Sequence, residues 1–150
     1  MTDHDCFICR KQRGEFALAG GPIVEERLLV ASHRWESPEG VPNDVYLGHV
    51  FVETKRHAPS FADLTAEEAH AVGLLGSRLS RALREAVGAD YVFVAVIGTG
   101  VPHFHLHLLA RYPDTPPGVP WHKVDEWAGA PRGGHDDVAA LTARIKASLR

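Results

Sequence analysis

The stretch His103-Phe104-His105-Leu106-His107-Leu108-Leu109 constrains this chain more than any other. Successive side chains of a strand point to opposite faces, so Phe104, Leu106 and Leu108 share one face and His103, His105 and His107 the other. The apolar face demands a core to pack on. The imidazoles are left as a row, with neighbours about 7 Å apart, close enough for one phosphate to touch two rings. An unperturbed imidazole, with a pKa of about 6.5, is mostly neutral at pH 7 and keeps one ring nitrogen's lone pair free. That nitrogen can attack phosphorus without a separate base, provided the other donates its proton to a fixed acceptor. Protonated neighbours would offset the charge on the phosphoryl oxygens, and the resulting phosphoramidate is labile to water. This chemistry needs no catalytic metal. Two other readings stay open. A single strand histidine is usually structural or solvent-exposed, and three can hold a hydrolytic zinc ion directly through His103, His105 and His107.

Such a strand needs neighbours, and the rest of the chain supplies them. Ile23-Val24 and Leu28 to Ala31 read as paired strands joined by Glu25-Glu26-Arg27, and Val45 to Glu53 as one largely buried strand. Ser37 to Asp44, with two prolines, a glycine and an asparagine, is a loop. Thr65 with Glu68 three residues on forms a capping box. From there Ala69, Val72, Leu75, Leu79, Ala82, Leu83 and Ala86 recur at helical spacing until Gly88 stops the helix. Tyr91 to Ile97, β-branched and aromatic, reads as a central strand. The Gly98-Thr99-Gly100-Val101-Pro102 turn joins it to the strand His103–Ala110. An irregular stretch covers residues 113–120, and a last amphipathic helix runs from about Asp137 to Leu149. Strands, one long helix and a hairpin give an α+β fold on an antiparallel sheet, and residues 1–150 read as a single domain with no repeat or linker.

Composition narrows the partners. A formal charge of -3 and a pI near 6.3 give no global positive field, so neither nucleic acid nor an anionic membrane is expected. No run approaches the roughly 20 apolar residues of a membrane span. Met1 to Cys6 has no apolar run behind it, which makes a cytoplasmic location the expectation. In a reducing compartment Cys6 and Cys9 are not expected to form a disulfide. The Cys6–Cys9 knuckle is a redox pair, two ordinary cysteines, or half of a zinc site completed by distant histidines.

The triad followed by Leu108-Leu109 resembles the signature of the histidine triad (HIT) family. Gly48-His49-Val50-Phe51-Val52-Glu53-Thr54-Lys55-Arg56-His57 is similar to that family's Gly-His-apolar strand ending in Lys-x-His. Cys6-Phe7-Ile8-Cys9 is similar to the C-x-x-C of its zinc-containing members. The resemblance covers Cys6 to about Tyr112. It implies a HIT-like fold and a nucleotidyl hydrolase or transferase acting on nucleoside phosphoramidates or dinucleoside polyphosphates. In that scheme His105 is the nucleophile of a covalent nucleotidyl-histidine intermediate, held by the His103 carbonyl, and His107 and His49 contact the phosphate. The resemblance further implies structural zinc on Cys6, Cys9, His57 and His103, and a homodimer.

Some positions depart from the family pattern. The turn before the triad carries Gly100 where a serine is usual, leaving Thr99 as the available hydroxyl for substrate binding. Tyr91 to Ile97 lacks the asparagine often found there, and His33 stands near the position of the acidic residue that holds the ribose. A specialised substrate, or a nucleotide-binding protein without turnover, fits these changes. Trp35, Trp121 and Trp127 are loop residues that could stack on a ring or simply cover core, and Arg111 could meet phosphate or solvent.

Overall fold

The structure is a computed structural model that describes residues 2–36 and 40–150, so residues 37–39 of the expected loop lie outside it. The chain runs through α1 (Phe7–Gln12), β1 (Val24–Glu25), β2 (Leu29–His33), β3 (Val45–Tyr46), β4 (His49–Thr54), α2 (Ala66–Val87), β5 (Tyr91–Ala95), β6 (His105–Arg111), β7 (Arg132–Gly133) and α3 (His135–Ser148). Five strands form an antiparallel sheet in the order β1-β2-β4-β6-β5, while β3 and β7 make a separate two-stranded ribbon. No described helix is long and apolar enough to cross a membrane.

Alternation organises the sheet. Val50 and Val52 of β4 and Leu106 and Leu108 of β6 face one side, where they pack with Leu75, Leu79 and Leu83 of α2 and Leu141 and Ile145 of α3. His49, Phe51 and Glu53 of β4, and His105 and His107 of β6, stand on the other side. The pairing of β4 with β6 sets Glu53 opposite His105 and Phe51 opposite His107. The α2 capping box forms as the sequence requires. The Thr65 hydroxyl accepts from the Glu68 amide at 3.1 Å, the Glu68 carboxylate accepts from the Thr65 amide at 2.9 Å, and Gly88 ends the helix at φ 66°.

Four expectations are corrected. The stretch Val45–Glu53 is two strands, because Gly48 turns at φ 111°, where a Cβ would stand 2.9 Å from that of Ala110. Tyr91–Ile97 is not central: β5 is an edge strand ending at Ala95, with Tyr91 and Val94 more than half exposed. Apolar character shows that a strand packs, not how many neighbours it has. The triad strand begins at His105, two residues late, so His103 lies in the preceding turn and leaves the imidazole row. Cys6 to Cys9 opens a helix, where a knuckle was expected.

Candidate active site and metal centre

Because β4 and β6 are adjacent and in register, three imidazoles meet on the face opposite α2. His49, His105 and His107 line a cavity of about 240 Å³ together with Phe51 beneath them. His105 Nδ1 lies 2.7 Å from the His103 carbonyl oxygen. A carbonyl only accepts, so Nδ1 carries the proton and Nε2 keeps its lone pair. His49 Nε2 and His107 Nδ1 are 3.0 Å apart. Burial, and secondarily His107, holds His49 well below the ordinary histidine pKa. Burial and then His105 bring His107 down to about 4. Both rings are therefore neutral at pH 7, and a hydrogen bond between the facing nitrogens makes one ring the donor and the other the acceptor. Among the described residues His49 Nδ1 and His107 Nε2 are buried without a hydrogen-bond partner.

Two segments outside the β4–β6 pair complete the wall. Just past β2, where the Arg34 amide still donates to the His49 carbonyl at 2.8 Å, Arg34 and Glu36 line the cavity and Trp35 does not. Trp35 packs with Ala19, Val45 and Val138, and its ring meets His135 edge-on at 5.7 Å. From α1 come Phe7, Ile8 and Lys11. Lys11 and Glu53 form a buried ion pair, with Gln12 Nε2 3.4 Å from the other Glu53 oxygen. Arg34 acts electrostatically on both His49 and His107.

The ring of His103, fully buried, points to a second centre. Its Nδ1 is 3.5 Å from Cys6 Sγ, 3.4 Å from Cys9 Sγ and 3.3 Å from His57 Nδ1, and Cys9 Sγ is 3.5 Å from His57 Nδ1. Tetrahedral zinc with its usual bond lengths separates two nitrogens by about 3.3 Å and nitrogen from sulfur by about 3.6 Å. The four donors fit that ion. His103 Nε2–H donates to the Thr54 carbonyl at 2.7 Å, the outer hydrogen bond that fixes the tautomer of a metal-bound imidazole. Without a cation, burial and then Cys6 push the Cys9 thiol up to about 12, so metal binding would release protons. Cys6, Cys9, His57 and His103 are the one group of this kind among the described residues, which leaves a zinc site on His103, His105 and His107 without its first ligand.

Residues 43–114 match the model of the HIT domain. That stretch is similar to the histidine triad family. The chain is 36% identical over 70 residues to a HIT-like protein of Mycoplasma genitalium, a match spanning 43% of this chain and half the length of that relative. A HIT-like protein from Bartonella henselae superposes with a TM-score of 0.75 at 18% identity over 99% of this chain and 98% of its own. A zinc-bound histidine triad family protein from Mycobacterium smegmatis does so at 0.71 and 20% identity, over 97% and 96%. The architecture is the HIT fold.

The other expected residues divide. Thr99 and Gly100 are exposed in the turn, and Thr99 is not part of the cavity lining. His33 is buried and outside the cavity lining, its Nδ1–H donating to the Arg34 carbonyl at 2.7 Å and its Nε2 accepting from the Gly48 amide at 2.9 Å. Arg111 binds the carbonyls of Thr115, Pro116 and Val119, which holds the irregular segment. None of the three tryptophans lines the histidine cavity. Arg34, Glu36, Lys11 and Glu53 were missed. Their one visible signal was the alternation Arg34-Trp35-Glu36 around an apolar anchor.

Proposed function

We propose that this protein is a nucleotidyl or phosphoramidate hydrolase or transferase, working through a covalent intermediate on His105 Nε2. The observation that carries this reading is the 2.7 Å contact between His105 Nδ1 and the His103 carbonyl. It sets the tautomer whose free nitrogen is nucleophilic, on a ring that lines the cavity. Nε2 forms a bond to phosphorus as the bond to the leaving group breaks, and the leaving group departs with the electron pair. Water or another acceptor then breaks the N–P bond and regenerates the imidazole.

The neighbours divide the remaining work. With His49 Nε2–H donating to His107 Nδ1, neutral His107 has its proton on Nε2 and offers it to a phosphoryl oxygen. Two neutral rings supply no charge, so the cation for the phosphate is Arg34, for which no ion pair is found among the described residues. Zinc on Cys6, Cys9, His57 and His103 is structural: all four positions are filled by protein, so the ion takes no part in bond making.

Replacing His105 with alanine should abolish turnover of a nucleoside phosphoramidate, and the nucleotide adduct seen by mass spectrometry of the quenched wild type should disappear. Full activity in that variant ends the proposal. The missing hydroxyl at Gly100 favours a second reading, nucleotide binding without turnover, in which the wild type binds tightly and no adduct forms.

A further inference from the structure

The phosphate chemistry uses only part of the cavity. Lys11, Glu53 and Glu36 line it too, and nothing in the transfer step calls on them. Lys11 and Glu53 satisfy each other, at 7% and 2% side-chain exposure. Glu36 differs. The residue is 7% exposed, and its Oε1 is buried without a hydrogen-bond partner among the described residues. Burial raises its pKa above the ordinary carboxylate range, opposed by a hydrogen bond from its own backbone amide and by Lys11 and reinforced by Glu53. With Arg34 given to the phosphate, one ammonium stands among two carboxylates, and Glu36 Oε1 is the carboxylate oxygen left without a partner among the described residues.

A buried carboxylate oxygen in a ligand cavity is satisfied by a donor from the ligand. A hydroxyl would meet the hydrogen bond but leave the charge uncompensated, whereas a cation meets both. The aromatic surface agrees: Lys11 Nζ already lies 5.7 Å from the Phe51 ring centroid and 5.9 Å from that of Phe7, faces that favour positive charge. We propose that the substrate's organic part carries a cationic amine and that Glu36 receives it, selecting amine-bearing phosphate compounds over neutral ones. This rests on the reading above in one respect only, that phosphate occupies the histidine end.

The test is calorimetric titration of the intact, metal-loaded protein at pH 7 with inorganic phosphate and with alkyl phosphates from propyl to hexyl. Each alkyl phosphate is compared with partners of the same length ending in a hydroxyl or an amine. At one length or more, the aminoalkyl phosphate should bind about tenfold tighter than the alkyl and hydroxyalkyl forms, the effect of one charge-assisted hydrogen bond. Glu36→Gln should bring that ratio to about one, and Glu36→Asp should keep part of it. Since the readout is a ratio, general weakening in a variant cancels, and a Glu36→Gln chain that does not fold leaves the wild-type ratio and Glu36→Asp to decide. Equal binding of amine and alkyl forms, equal binding of amine and hydroxyl forms, or a preference that survives Glu36→Gln overturns the assignment while leaving the His105 mechanism standing. Failure of every phosphate to bind overturns the phosphate reading and this inference with it.

Discussion

His33 and His107 show what burial does to an imidazole in this molecule. His33 uses both ring nitrogens on backbone, one as donor and one as acceptor, an arrangement open only to the neutral ring. Its pKa is lowered to about 4 by burial, and that of His107 to about 4 by burial and the neighbouring His105. In the unfolded chain the same rings take up a proton near pH 6.5. Between those limits the unfolded state binds protons that the folded state refuses, so stability falls as pH drops from about 6.5 to about 4 and the histidine contribution levels off below that. The slope is at most about 1.4 kcal/mol per pH unit for each ring. Urea midpoints measured across this range should fall on acidification, and His33→Gln should flatten the dependence. A midpoint that rises from pH 6.5 to 4 contradicts the argument. At this scale the sequence was readable where a regular element held the residue, as for His49, His105 and His107. It failed for Arg34 and Glu36, on the segment after β2 that belongs to no regular element, and for the ring of His103, because alternation could not reveal that β6 starts two residues later.

Among the elements, α1 and α2 contrast. The α2 helix has a capping box, a left-handed glycine stop and a continuous apolar face, all written locally, and it forms where the sequence says. Thr65→Ala should cost about 1 kcal/mol of stability by removing the cap, visible as a lower urea midpoint with unchanged metal content. The six-residue α1 has no side-chain cap and is too short to persist alone. Cys6 and Cys9 join it to the Cys2His2 cluster that fits zinc, and it in turn carries Phe7, Ile8 and Lys11 to the cavity. Chelation, or Cys9→Ser, should therefore release one zinc ion per chain and speed amide exchange through residues 7–12. Substrate binding should weaken while the β4–β6 amides stay protected. A protein that loses its ion with α1 exchange unchanged would show that packing alone holds the helix. This long-range dependence is why α1 looked like a knuckle in the sequence.

For the molecule as a whole, the misplaced strand is the informative one. β5 forms the sheet edge, and it and the residues after it expose Tyr91, Val94, Val96 and Ile97. An apolar edge with free backbone groups invites a second strand. The homodimer expected from the sequence fits that edge, with β5 meeting its copy. Val94→Lys should then shift the mass measured by light scattering from dimer to monomer, and an unchanged dimer would exclude this edge. The fold class was legible because binary patterning fixes which faces are buried; the order of strands was not, because pairing partners are chosen in three dimensions.

In the proposed reaction the attacking imidazoles and the groups that would sort ligands are carried on different stretches of chain. Five residue pairs between β4 and β6 fix where His49, His105 and His107 stand, whereas Lys11, Arg34 and Glu36 arrive on α1 and on the segment after β2. Mutational drift in those outlying stretches can rewrite the substrate repertoire generation by generation while the nucleophile keeps its address. A relative sharing the triad need not share its diet.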